Sequence, residues 1–159
     1  ALQYTHSQNI IHRDIKLDNI LLDIHNNIKI CDFGVGKQVK SRKEILYDQC
    51  GTPAYIAPEI LKGSGYEGSP VDIWSAGVVL YAMLSGTVPF KANDMNDLHK
   101  LIFKGEYAEI EGISQEAKDL IKGILEVEPK KRLTAEEILN HPWMYDEYGN
   151  GTDEKSKYL

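Results

Sequence analysis

Long apolar runs are missing from this sequence. The longest, Ala76 to Leu84, is interrupted by Gly77 and is far too short to cross a bilayer as a helix. Basic residues are also short. There are 18 Lys and Arg against 24 Asp and Glu, a net charge of −6 without a basic stripe, which argues against nucleic acid or an anionic membrane as the main partner. Only two cysteines occur, Cys31 and Cys50, and their spacing suits no metal. They read as reduced thiols of a cytoplasmic or nuclear protein. His6, His25, His99 and His141 show no ligand spacing either, and His12 fits a packing role. The glycine-rich stretch Gly63 to Pro70 lacks the lysine of a phosphate-binding loop and follows no predicted strand, so it reads as a flexible connector. Internal repeats and low-complexity tracts are absent. At 159 residues, 42% of them hydrophobic, the chain is one domain or one lobe of something larger, and can bury a real core. It begins with Ala1 rather than Met, so nothing is read from the lack of a targeting signal. The oligomeric state is not legible.

What is present concentrates in Ile10 to Gly34, IIHRDIKLDNILLDIHNNIKICDFG. Two short apolar-rich runs, Asn19 to Asp23 and Ile28 to Asp32, flank a linker with two turn-favouring asparagines, which predicts a β-hairpin. The second strand of a hairpin retraces the first, so Asn19 and Asp32 are expected side by side. An amide oxygen beside a carboxylate is a hard-oxygen pair suited to Mg²⁺, which keeps waters and takes its other ligands from phosphates. Asp14 and Lys16 lie on the loop feeding the hairpin. Metal, carboxylate and cation are the parts phosphoryl transfer needs.

His12-Arg13-Asp14 followed by Asn19, then Asp32-Phe33-Gly34, then Ala57-Pro58-Glu59, resembles the motif series of eukaryotic protein kinases. The resemblance covers about Ala1 to Trp143 and is to the larger, C-terminal lobe: a mainly α fold with a small β-hairpin. Met144 to Leu159 reads as a loose polar tail. The resemblance implies that ATP and Mg²⁺ are the cofactors and a protein Ser/Thr hydroxyl the acceptor. Asp14 would orient that hydroxyl or accept its proton, Lys16 would neutralise the transferring phosphate, and Asn19 and Asp32 would hold the metal. Asp18, Gly51, Thr52 and Pro53 would face the substrate, with Asp18 equally open to being a solvated charge. His12, Phe33 and Gly34 would be structural, Gly34 as a hinge tolerant of positive φ.

In the family, Arg13 pairs with a phosphate on the activation segment. The matching position is Asp48, so a built-in carboxylate is expected to replace that phosphate. The hydroxyls of Ser41, Tyr47 and Thr52 remain open to phosphorylation. The segment Asp32 to Glu59 is the expected mobile part, and its middle, KQVKSRKEILYDQ, reads as a loop. The resemblance further implies a buried Glu59–Arg132 pair. It also implies that Asp72 holds the backbone of the His12-Arg13 loop, although Asp72 also fits an exposed acid favoured by the helix dipole.

The remaining helices follow from period and caps. Ala1 to Ser7 reads as last helical turns with an apolar edge at Leu2 and Tyr4. Val71 to Ser85 is apolar nearly all round, stops at Gly86 with Pro89 beyond, and should be buried. Asn93 to Phe103 is amphipathic. Ser114 caps a helix to about Leu125, and Thr134-Ala-Glu-Glu137 is a capping box. Trp143 is expected in the core. DIWSAGVVLYAMLSGTVPF and HPW look most like the calcium/calmodulin-dependent kinase group, but no basic amphipathic helix follows Trp143 to bind calmodulin.

Two readings follow. One is the larger lobe of a serine/threonine kinase. The other is a non-catalytic, kinase-like module that docks a protein through Gly51 to Glu59. Retention of Asp14, Lys16, Asn19 and Asp32 together favours the first. Only eleven residues precede His12, so the family's glycine-rich loop, strand lysine and helix glutamate have no room in this sequence.

Overall fold

The longest helix, α3 (Gly68–Ser85), supplies more buried residues than any other element of this computed structural model, which describes residues 1–145. Apolar side chains on all sides of α3 can be satisfied only by burial, and Val71, Ile73, Trp74, Val78, Val79 and Tyr81 are all buried. The Trp74 indole stacks on Phe90 with ring centroids 5.6 Å apart and planes 6° from parallel. α3 ends at Gly86, at φ 75°, as the stop signals predict.

Around it lie α1 (Leu2–Ser7), α2 (Pro58–Lys62), α4 (Met95–Lys104), α5 (Gln115–Ile124) and α6 (Ala135–Leu139). The predicted caps are made. Ser114 Oγ accepts from Ala117 N, and Thr134 and Glu137 form the reciprocal capping box. α4 and α5 bury one face each, through Leu98 and Ile102, and through Ala117, Leu120, Ile121 and Ile124.

α5 lies close against α3 because Gly77 carries no side chain. A methyl group there would collide with Ile124 Cγ2 and sit 3.0 Å from Leu125 Cδ2. Gly77→Ala is therefore expected to destabilise the complete protein by about 1–3 kcal/mol through overpacking. Urea unfolding would register it, and an unchanged midpoint would contradict the packing account.

Among the described residues the β structure is three antiparallel ladders of two strands each. The predicted hairpin is β2 (Ile20–Leu22) with β3 (Ile28–Ile30), in the register Ile20↔Ile30. β1 (Ile10–Ile11) pairs with β4 (Lys37–Gln38), and β5 (Ile45–Leu46) pairs with β6 (Tyr66–Glu67).

Four sequence expectations are corrected. The middle of the 32–59 segment is not all loop: it supplies β4 and β5, with Val39 and Leu46 buried beneath. The glycine-rich connector supplies β6 and the first turn of α3, and Tyr66 in it is buried. Ladders of two residues have no sequence period of their own, because their partners lie far along the chain. On α1 the inward face is Leu2, Thr5 and His6 at helical spacing, while Tyr4 is exposed. Trp143 is 36% exposed, in a 3-10 turn (Pro142–Met144) that lies against α5 rather than beneath it. Of the expected polar tail, residues 146–159 lie outside the described residues.

Candidate active site

The site is built on the loop between β1 and β2, held from below by α3. Asp72, in the first turns of α3, has its carboxylate fully buried. Its Oδ2 accepts from His12 N at 2.9 Å and its Oδ1 from Arg13 N at 2.8 Å. This excludes the exposed-cap alternative for Asp72. His12 is fully buried too. Its Nδ1 lies 3.2 Å from Asp14 N, which donates to it, and its Nε2 donates to Cys31 O at 2.8 Å. One imidazole thus ties the loop to the residue before Asp32. Phe33 is half exposed and meets the His12 ring edge-on at 4.5 Å.

Above this base, three polar side chains close a ring. Thr52 Oγ1 donates to Asp14 Oδ1 at 2.7 Å, Lys16 Nζ donates to Thr52 Oγ1 at 3.0 Å, and Lys16 Nζ lies 3.1 Å from Asp14 Oδ2. Partial burial pushes the Asp14 carboxyl up, but the bonds from Thr52 and Lys16 outweigh this and hold it below the usual carboxylate range. Lys16 is raised above the usual lysine value by its bond to Asp14, with the charges of Asp18 and Asp32 adding to it. Gly51, at φ 112°, brings this strand of the segment over the loop: a Cβ there would lie 3.0 Å from Arg13 O. Pro53 opens a 3-10 turn (Pro53–Tyr55) beside Thr52.

Asn19 closes the 3-10 turn Leu17–Asn19 and is buried. Its Nδ2 donates to Asp14 O at 2.8 Å, which turns its Oδ1 away from that bond. The residue facing Asn19 across the hairpin is Cys31, whose N donates to Asn19 O at 3.0 Å. Asp32 is therefore offset by one residue from the side-by-side pairing expected. Asp32 is exposed and spends Oδ1 on Gly34 N at 3.2 Å. The positive φ expected of Gly34 falls instead on Asp32, at 60°, and glycine is needed at 34 for space: a Cβ would come 3.0 Å from Asp32 Oδ1. Among the described residues no three His, Cys, Asp or Glu side chains group to hold a metal. An amide oxygen and one carboxylate do suit Mg²⁺, which needs few protein ligands.

Asp48 meets Arg13 as expected: Arg13 Nη1 donates to Asp48 Oδ2 at 2.9 Å, and Lys37 Nζ donates to the same oxygen at 3.2 Å. These bonds, Arg13's first, hold the Asp48 carboxyl below its usual value. Arg13 Nε also donates to Val35 O at 2.7 Å, and Tyr66 OH donates to Asp48 O at 2.7 Å. Sequence reasoning missed Lys37 and Tyr66. It also missed His6, whose Nε2 lies 2.8 Å from Asp72 Oδ2. The signal for His6 was its place on the inward face of α1. Asp18 is exposed on its turn without a hydrogen-bond partner among the described residues. Further off, Arg132 grips Glu59 through both guanidinium nitrogens, at 2.6 and 2.9 Å, as the resemblance implied.

The family described as protein kinase domain matches residues 1–144. The chain belongs to that family. Among its relatives are the maternal embryonic leucine zipper kinase of Xenopus laevis, 40% identical over 159 residues, and the CBL-interacting serine/threonine-protein kinase 5 of Arabidopsis thaliana, 41% identical over 146 residues. A third is the serine/threonine-protein kinase SIK2 of Gallus gallus, 43% identical over 144 residues. The matches cover 99%, 91% and 91% of this chain but only 24%, 33% and 18% of those proteins. The chain thus spans about a third or less of the length of these curated relatives. Its likeness to eukaryotic serine/threonine kinases near the calcium/calmodulin-dependent group holds. Protein kinases as a family use ATP and Mg²⁺ and act on protein substrates. No helix among the described residues is long and apolar enough to cross a membrane.

Proposed function

We propose that residues 1–143 are the larger, helical lobe of a serine/threonine protein kinase that transfers the γ-phosphate of ATP to a protein hydroxyl. The observation that carries this reading is the closed ring of Asp14, Thr52 and Lys16 beside Asn19. A carboxylate with a depressed pKa is a weak base. Its worth lies in fixing the direction of the acceptor hydroxyl, which suits a reaction with a loose transition state. Lys16, at 3.1 Å from Asp14, offers a cation where charge builds on the transferring group. Asn19 and Asp32 would hold Mg²⁺, which when bound offsets phosphate charge. Asp18, Gly51, Thr52 and Pro53 would face the protein substrate.

The hairpin supports a further covering part in the complete protein. Leu21, Leu22 and Ile28 are each more than half exposed, and a two-stranded hairpin is marginal unless something packs on it. We propose that a second lobe and the flat face of the nucleotide cover this side. The test is γ-phosphate transfer from ATP to a generic protein by the full-length chain. Its absence under conditions where the protein is folded would favour the docking-module reading.

Arg13, Lys37 and Tyr66 all converge on Asp48, so the segment is fastened without phosphorylation. Asp48→Ala in the complete protein is expected to lower activity roughly fivefold or more. Unchanged activity would refute the fastening role. Because its pKa is depressed in the folded state, this fastening is present above the ordinary carboxylate range and is lost as pH falls through the lowered value.

A further inference from the structure

We infer that His6 is a positioning residue for the catalytic loop, acting through Asp72. The inference rests on the kinase reading given above. His6 is the one buried residue of α1, with its side chain 7% exposed. Its Nε2 meets Asp72 Oδ2 at 2.8 Å, and the same oxygen accepts from His12 N at 2.9 Å. A carboxylate only accepts, so the imidazole donates. Three donors from two segments therefore fix the plane of a fully buried carboxylate, whose other oxygen holds Arg13 N at 2.8 Å.

That second bond has an unusual task. Arg13 sits at φ 68°, a left-handed conformation that costs a side-chain-bearing residue energy and persists only where the surroundings impose it. Asp14 is the next residue along. If the Asp72 carboxylate turned, the amide that restrains Arg13 would be released and Asp14 would shift with it. His6 touches none of Asp14, Thr52, Asn19 or Asp32. Its effect is on where the loop is held, and so on turnover more than on substrate affinity.

The test compares His6→Leu, which keeps bulk but loses the donor, with His6→Gln, which places an N–H near the position of Nε2. Both are made in the complete protein and assayed where each is fully folded. His6→Leu is expected to lower kcat about tenfold, as small displacements of catalytic groups do, with KM for the protein substrate nearly unchanged. It should also speed hydrogen exchange at the His12 and Arg13 amides while exchange in α5 stays the same. His6→Gln should recover both. Wild-type kcat in His6→Leu, or faster exchange spread evenly through α3 and α5, would overturn the inference. If the unaltered protein transfers no phosphate, the kinase reading fails while the two amides still decide this one. Should His6→Leu not fold, His6→Gln against the shorter His6→Asn makes the same comparison.

Discussion

Asp14→Asn is expected to lower phosphoryl transfer by the complete protein by about 10²–10⁴-fold, the range typical of losing a positioned acid or base. The substitution keeps shape and volume. An amide oxygen can still accept from Thr52 at the place of Oδ1, 2.7 Å away, so the fold should survive. What changes is the second position, where an NH₂ would face the Lys16 ammonium that now lies 3.1 Å from Oδ2. Two donors cannot satisfy each other, so Lys16 would turn away as the carboxylate charge disappears. KM for ATP should change little, because Asn19 and Asp32 are untouched. Steady-state kinetics beside a thermal melt would check this. Turnover close to wild type in a folded Asp14→Asn protein would remove Asp14 from its proposed role.

The same site predicts the direction of the acid limb. With its folded-state pKa held down by Thr52 and Lys16, Asp14 stays ionised through and below the ordinary carboxylate range. Activity that depends on the ionised form is therefore present above that range and lost as pH falls through the depressed value. A limb near neutrality would point to another group.

Most of the candidate site was legible in advance because Asp14, Lys16, Asn19 and Asp32 lie in short, dense motifs, whereas Thr52 meets Lys16 from 36 residues away. Asp14 and Lys16 are two residues apart, and the asparagines of the Asn26-Asn27 turn marked the hairpin that brings Cys31 and Asp32 back toward Asn19. The helices were legible for a related reason. Ser114 and Thr134 cap their own helices from within one turn, so each signal and its structure are local. What escaped reading depends on distant partners. β5 and β6 are two residues each and exist only because Ile45 meets Glu67 and Leu46 meets Tyr66. Tyr66 looked like part of a glycine-rich connector, yet its hydroxyl fastens the backbone of Asp48. The spacing of the histidines carries no sign of the role of His6, because its partner is a carboxylate 66 residues away. Asp32 shows a different limit. The chain needs a left-handed residue at this corner, and a short acid that bonds Gly34 N with its own side chain meets the need as glycine would.

Glu59→Ala is expected to destabilise the complete protein by about 3–5 kcal/mol, because it leaves the Arg132 guanidinium buried without its counter-ion. Few single changes should cost more, since a domain is stable by only about 5–15 kcal/mol in all. Arg132 is 4% exposed, and its Cζ lies 5.0 Å from the centre of the Trp74 ring. Besides gripping Glu59 it donates to Glu126 O at 2.9 Å and to Pro70 O at 2.8 Å. One fork thus joins the start of α2, the first turn of α3 and the loop before α6. Arg132→Lys should lose most of the same stability, because an ammonium cannot span both carboxylate oxygens and the two carbonyls. Replacing both partners by apolar residues of similar volume should cost clearly less than the sum of the single losses, since no unpaired charge then remains. Urea midpoints for the two single variants and the double variant would decide it, and additive losses would show the two residues to be independent. The consequence reaches the site. Glu59 follows directly on the segment that carries Thr52, so a loosened α2 frees the hydroxyl that closes the ring with Asp14 and Lys16. Activity should therefore fall in Glu59→Ala at temperatures where the rest of the protein is still folded.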